Sequence, residues 1–221
     1  RIFLNDNIDL IYREMLPNIV SLKPLTRFES RSFITENPKI FKVPKKYLIN
    51  NPQKKTIVTH FLANHHLRLK GKFDPKGSRI IMKEISELAE TNKNFIFKFI
   101  TDVKRDIVKF YIKQSDIVID QLYFKRYGAI SREAMSYGKV VMCNLEISNN
   151  EDKLLLAQIK ESPVVNINKY NLKSKLDELL KDKSKIKERS EATKKYWEKH
   201  HSLNSCVPKL IDDYRIIYKN L

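Results

Sequence analysis

Glycine, cysteine and long apolar runs are scarce in this sequence of 221 residues, and each scarcity excludes a class of protein. The four glycines form no Walker-type sequence, so a P-loop nucleoside-triphosphate hydrolase is excluded. The two cysteines, Cys143 and Cys206, lack the spacing of metal ligands, and we expect free thiols in a reducing compartment. The longest apolar runs are strand-sized, far short of the roughly 20 residues of a membrane-spanning helix. Since no signal-peptide pattern opens the sequence, we expect a cytoplasmic protein.

Acidic residues are also scarce beside basic ones: 26 Asp and Glu stand against 43 Lys and Arg, for a net charge of +17. The lysines are spread over every segment and alternate with acidic residues, and no basic stripe with interleaved aromatic residues occurs. This pattern favours phosphorylated ligands, or peripheral contact with an anionic membrane, over nucleic acid, which we do not expect as a partner. Hydrophobic residues make up 42% of the chain, enough for a packed core.

Residues 1–52 differ from the rest of the chain in their proline spacing and in the shortness of their apolar runs. Their short apolar pieces are interrupted by Pro17, Pro24, Pro38 and Pro44, a spacing that does not support long helices and predicts an extended connecting segment. We therefore divide the chain into this segment and one domain over residues 53–221.

From residue 56 onward, strand-like and helix-like patterns alternate along the chain. Helices are predicted between the strands, beginning at Ser78, near Val103, at Tyr127 and at Leu154, and only helices follow Asn168. This alternation is typical of right-handed βαβ units, so the predicted fold class is α/β, a Rossmann-like, doubly wound parallel sheet with extra C-terminal helices. The predicted strands are residues 56–61, 95–100, 117–119, 140–142 and 164–167.

Ligands of such sheets bind at the carboxyl ends of the strands, where loops lead to helix N-termini. The loop after the first predicted strand contains Arg68, Lys70, Lys76 and Gly77 and ends where Ser78 begins a helix. Cations beside glycine and a helix N-terminus favour a diphosphate ligand. Although three histidines also occur in this part of the chain, no carboxylates or cysteines join them, and we predict no metal site.

The loop after the third predicted strand contains Gly128, followed by Ala129 and, in the second turn of a predicted helix, Glu133. A carboxylate flanked by packing residues and directed at the strand ends suits hydrogen bonds to the two vicinal hydroxyls of a ribose. The alternative is a solvated glutamate on a helix surface.

The stretch "DIVIDQLYFKRYGAISREAMSYGKVV" resembles the signature of group 1 GT-B-type glycosyltransferases: a strand ending in Asp, a Gly-containing loop, a Glu-Ala-Met helix and a Gly-Lys turn into a strand. The resemblance extends over most of residues 55–202. It implies a donor site for a nucleoside-diphosphate sugar as substrate, with no cofactor and no metal. The resemblance implies that Glu133 binds the ribose. It implies that the loop after the first strand binds the diphosphate through Arg68, either Lys70 or Lys76, and Gly77. The amides of Gly128 and Ala129 would contact phosphate or sugar, and Thr101 and Asp102 would lie beside the base.

The sequence departs from this family at one position of the site, since the acidic residue expected eight positions before Glu133 is Lys125. The family also implies an N-terminal acceptor domain, of which residues 1–52 would be the tail and the linker. We therefore expect either a fragment, as the start at Arg1 suggests, or a chain that works with a partner chain, and we assign no catalytic residue.

The resulting hypothesis is the donor half of a retaining glycosyltransferase of polysaccharide biosynthesis, inactive by itself. The alternative is a non-catalytic, glycosyltransferase-like docking module, and a nucleic-acid-binding protein ranks last.

Overall fold

The computed structural model of the chain describes residues 44–62, 74, 76–146, 157, 159–202, 204–208, 211–212 and 215. Residue contacts divide the chain into two units. One consists of Phe41–Glu146 and Ser162–Trp197 and contains the sheet, and the other consists of the remaining segments. The predicted division at residues 52 and 53 stays a prediction, because residues 1–43 lie outside the described part.

Strands and helices alternate along the sheet-containing unit in the order expected from the sequence. The strands are β1 (Thr56–Leu62), β2 (Phe95–Thr101), β3 (Ile117–Ile119), β4 (Val140–Cys143) and β5 (Val165–Asn166). The helices are α1 (Ser78–Thr91), α2 (Arg105–Gln114), α3 (Ala129–Ser136), α4 (Leu172–Leu180) and α5 (Lys183–His200), and a short 3-10 helix spans Lys45–Tyr47.

The five strands form one parallel sheet in the order β2-β1-β3-β4-β5. In register, Val58 lies opposite Phe97 of β2 and Ile117 of β3, and Ile117 lies opposite Val140 of β4. The chain moves outward from β1 to β2 and then crosses back to β3. Because crossovers are right-handed, this reversal places α1 on one face and the next two helices on the other. The predicted doubly wound α/β fold is confirmed.

One face of the sheet carries the main hydrophobic core. The buried residues of α1 recur at the helical spacing of three and four positions, and those of α4 do the same, so both helices pack an apolar stripe on the strands. All seven residues of the central strand β1 are buried, as expected for a strand covered on both faces. The core residues include Val58, Ile81, Ile85, Leu88, Ile117, Ile119, Val140, Met142, Leu172, Leu176 and Leu179.

A buried histidine joins the sheet to the start of α1. His60 of β1 bonds through Nδ1 to the carbonyl of Ile119 and through Nε2 to the hydroxyl of Ser78, at 2.8 Å each. Burial, with a smaller contribution from Lys76, lowers the pKa of this imidazole to about 4. Since Nδ1 faces a carbonyl it carries the proton, and Nε2 accepts from Ser78. The neutral ring therefore fixes the first residue of α1 to the sheet.

Several boundaries differ from the predicted ones by one or two residues. Helix α3 begins at Ala129, because the Tyr127–Gly128 segment is held extended by a bond to the strand end. Gly138 ends this helix with a φ of +62°, the left-handed conformation typical of a glycine cap. Most of the helix predicted from Leu154 lies outside the described residues. Within the described part of the chain, no helix combines the length and apolarity needed to cross a membrane.

Candidate functional site

The reversal in strand order makes the carboxyl ends of β1 and β3 the switch point of the sheet, where open α/β folds form their ligand crevice; we call this place the switch-point crevice. The connection from β1 leads to α1 on one face of the sheet, while the connection from β3 leads to α3 on the other face, so the direction of winding reverses between these two strands. Ligands of open α/β sheets bind at such a switch point. The described residues that border it are Lys76, Gly77, the segment Asp120–Gly128 and the first turn of α3.

Asp120, directly after β3, is the central polar residue of this crevice and is only 2% exposed. Its carboxylate accepts hydrogen bonds from the Lys76 ammonium at 2.7 Å, the Gly128 amide at 2.9 Å and the Ser131 hydroxyl at 2.6 Å. Burial by itself would raise the pKa of Asp120, but these partners outweigh it and lower the pKa to about 2. Asp120 thus ties both loops and the start of α3 to the sheet as a permanent anion.

Lys76 and Gly77 lie together at the start of α1, as the sequence predicted. The Lys76 side chain is 15% exposed and directed at Asp120, and its backbone carbonyl accepts from the amide of Leu122 at 2.9 Å. Gly77 has a φ of +71°, and a Cβ there would lie 3.1 Å from Leu122 and 3.2 Å from the Tyr123 ring. Only glycine fits this backbone conformation at so close an approach of the two loops.

The segment between β3 and α3 is held by the buried amide side chain of Gln121. Gln121, 2% exposed, donates to the carbonyls of Arg126 and Asn144 and accepts from the amide of Phe124 at 2.6 Å. Lys125 has a φ of +55°, and its ammonium lies 2.9 Å from the Glu146 carboxylate at the surface. The position where the resembled family has an acid therefore carries an exposed cation that pairs with Glu146.

The first turn of α3 offers backbone amides to the crevice. Its helical hydrogen bonds begin with the Arg132 amide to the Gly128 carbonyl at 3.2 Å, so the amides of Ala129, Ile130 and Ser131 have no partner within the helix. The Gly128 amide, in contrast, is bonded to Asp120. An N-terminus of this kind attracts anions through its donors and its dipole.

Glu133 lies one turn further along α3 and is buried, with a side chain 5% exposed. Its Oε1 accepts from the Arg105 guanidinium, at the start of α2, whose side chain is 41% exposed. Burial raises the pKa of Glu133 against the lowering effect of Arg105. The alternative of a solvated helix glutamate is therefore excluded, and a desolvated carboxylate paired with Arg105, with Lys109 and Arg132 nearby, remains.

The remaining predicted site residues divide into two groups. Thr101 ends β2 and Asp102 follows it with a φ of +50°, so both lie at the carboxyl edge of the sheet. Arg68 and Lys70 lie outside the described residues. All these assignments to a ligand stay predictions.

Asp120, Ser131 and Arg105 are functional candidates that the site prediction did not include. Asp120 could have been found, because it ends an apolar strand and precedes a glycine loop. Nothing in the sequence pairs Arg105 with Glu133 across 28 positions, since that contact depends on how α2 packs on α3.

Comparisons with known proteins inform the fold. No protein-family model matches the sequence, and no curated protein matches it. Among solved structures, UDP-GlcNAc 2-epimerase from Neisseria meningitidis, bound to UDP-GlcNAc, is 13% identical, covers 84% of this chain and aligns with a TM-score of 0.54. A TarM mutant of S. aureus in complex with UDP (14% identity, 74% coverage, TM-score 0.49) and the glycotransferase of kitacinnamycin (11%, 75%, 0.43) are also similar, but with scores too low to carry the fold argument.

The chain therefore shares its Rossmann-like α/β fold with this epimerase, and the GT-B-type fold implied by the resemblance is confirmed at the level of the fold alone. The chain spans 51% of the length of the epimerase and 37% and 44% of the other two proteins.

Proposed function

We propose that the chain binds a nucleoside-diphosphate sugar at the switch-point crevice and serves as the donor half of a glycosyltransferase. The observation that carries the proposal is the position of Glu133, a buried, desolvated carboxylate one turn inside α3, next to a helix N-terminus that faces the switch point. An ordinary surface helix would not bury this charge.

The diphosphate would lie against the first turn of α3. The amides of Ala129 and Ile130 provide donors, and Lys76 provides a cation. Among the described residues the Lys76 ammonium bonds only Asp120, which leaves two of its N–H groups for a ligand. Arg68 and Lys70 would add charge from the loop after β1. Such fixed donors stabilise a departing diphosphate electrostatically, which is how this site would assist transfer.

The ribose would reach Glu133 from the side of Arg105. The ion pair occupies Oε1, and Oε2 remains to accept from a hydroxyl, with the half-exposed guanidinium over the entrance. Thr101 and Asp102, at the end of the neighbouring strand β2, would border the base. The acceptor would come from the remaining part of a two-domain enzyme, with retention of anomeric configuration and a polysaccharide acceptor as implied by the resemblance.

A second candidate function is a non-catalytic docking module of the same fold. The specific observation in its favour is Lys125, which stands where the family has a donor-sugar acid and pairs with Glu146 at 2.9 Å. With Lys125 in place of that acid, the module would bind a nucleotide without its sugar, or would bind no nucleotide at all.

Calorimetric titration of UDP, GDP and ADP and their sugar conjugates into the full chain tests the proposal. We expect saturable binding of one nucleotide, weakened at least about tenfold by Glu133→Gln, because hydrogen bonds to a charged group are worth about 1.5–3 kcal/mol each. Glu90→Gln, at an exposed position of α1, is the matched control and leaves binding unchanged.

Stronger binding of the sugar conjugate than of the free nucleotide supports the donor half, while equal binding favours the docking module. Absence of binding by any nucleotide to the folded chain would contradict a donor site. Glu133→Gln is expected to fold, since burial already disfavours the charge that the substitution removes.

A further inference from the structure

A second concave surface lies at the opposite edge of the sheet, where the strands begin. It is a cleft of about 270 Å³ lined by Lys54, Lys55, Thr56, Asp116, Lys139, Lys183, Ile186, Lys187 and Ser190. Five of these nine residues are lysines and one is acidic. We call this surface the lysine cleft. Thr56 and Leu62 are the two ends of β1, so the lysine cleft lies roughly 20 Å from the switch-point crevice, at about 3.3 Å per residue.

The lysines of the cleft come from separate segments that the fold brings together. Lys54 and Lys55 precede β1, and Lys139 precedes β4. Lys183 and Lys187 are four positions apart on α5 and therefore lie on one side of that helix. The walls are fixed: the Lys183 ammonium donates to the Lys54 carbonyl at 3.2 Å, and the Ser190 hydroxyl donates to the Gly138 carbonyl.

The positive charge of the cleft is not neutralised within the described part of the chain. None of the five lysines lies within ion-pair distance of a described carboxylate. Asp116, the single acid of the lining, accepts from the backbone amide of Ile57 at 2.7 Å and thus serves the sheet. Burial lowers the pKa of Lys139, and the nearby Asp116 only partly opposes this. Like charges gathered in a concave, partly desolvated place repel one another unless an anion joins them.

We propose that the lysine cleft is a binding site for a phosphate-bearing anion, separate from the donor site. Ammonium groups are compact point charges that suit phosphate oxygens, and a cleft of this volume admits a phosphate or diphosphate group. Two sources provide that chemistry, namely the headgroup of an anionic lipid and a soluble phosphate compound. The proposal does not depend on nucleotide-sugar binding at the other edge.

Residue-resolved amide NMR of the full chain titrated with inorganic diphosphate tests the proposal. We expect saturable shifts of the Thr56, Lys139 and Val140 amides, and a loss of affinity of about tenfold in the double variant Lys139→Gln/Lys187→Gln. The control Lys175→Gln/Lys195→Gln removes two exposed lysines outside the cleft and retains the shifts. If the Lys139 variant does not fold, Lys183→Gln/Lys187→Gln, at two exposed helix positions, replaces it.

Sedimentation with phosphatidylcholine vesicles, with and without phosphatidylglycerol, separates the two sources. Binding only to the anionic vesicles, weakened in the cleft variant but not in the control, assigns the site to a lipid headgroup, and diphosphate binding without vesicle binding assigns it to a soluble compound. Absence of diphosphate shifts at the amino edge, or equal effects of the cleft and control variants, overturns the proposal. Shifts of Gly77 and Ala129 report the donor site independently.

Discussion

Asp120 shows at the scale of one residue how the site is built from the fold. One carboxylate holds Lys76, Gly128 and Ser131, so the group that follows the strand end positions both the cation and the helix N-terminus of the proposed donor site. A buried anion with several charge-assisted bonds costs stability when it is lost, because its partners remain desolvated.

We predict that Asp120→Asn lowers the free energy of unfolding at pH 7 by roughly 2–3 kcal/mol, measured by urea unfolding. The folded pKa of Asp120, about 2, lies below its ordinary value of 3.8, so its contribution is present above pH 4 and lost as the pH falls toward 2. His60, with a folded pKa of about 4 against 6.5, loses its contribution as the pH falls from 6.5 to about 4, which lies above the window of Asp120. The free energy of unfolding of Asp120→Asn should therefore change less between pH 4 and pH 2 than that of the natural chain.

The exposed Asp106 provides the control, since its carboxylate is 66% exposed and pairs with Lys109 only at the surface. Asp106→Asn should change stability by no more than about 0.5 kcal/mol. An Asp120 variant that keeps the full pH dependence of the natural chain would show that this carboxylate does not hold the loops.

At the scale of elements, the sequence predicts the strands and helices well and their contacts less well. Runs such as Ile117–Ile119 are apolar, short and bounded by polar residues, so periodicity is sufficient to locate β3. The Arg105–Glu133 pair and the lysine cleft could not be predicted, because each joins segments far apart in the chain whose distance is set by helix packing.

The approach of α1 to the loop after β3 provides a test at this scale. We predict that Gly77→Ala costs roughly 2–4 kcal/mol of unfolding free energy, since φ is +71° and a Cβ would lie 3.1 Å from Leu122. Gly138→Ala is the matched control, with a similar φ of +62° but side-chain contacts of 3.4 Å or more. It should cost only about 1–2 kcal/mol, the cost of the left-handed backbone alone. Equal losses in the two variants would mean that the loops are not in close contact at Gly77.

At the scale of the whole molecule, the two edges of the sheet have different characters. The carboxyl ends of the strands combine, among the described residues, the buried Glu133, the N-terminus of α3 and Lys76 tied to Asp120, the features on which the proposed donor site rests. The amino edge gathers lysines against a single acid that the backbone already uses.

The most direct test of the central claim, a nucleotide-sugar site at the switch point, is residue-resolved amide NMR of the full chain with the nucleotide identified by calorimetry. We predict saturable shifts of Gly77, Thr101, Ala129 and Ile130 that are lost in Glu133→Gln and kept in the lysine-cleft variant. Shifts confined to Thr56, Lys139 and Val140, or shifts at the carboxyl edge that Glu133→Gln leaves unchanged, would contradict it.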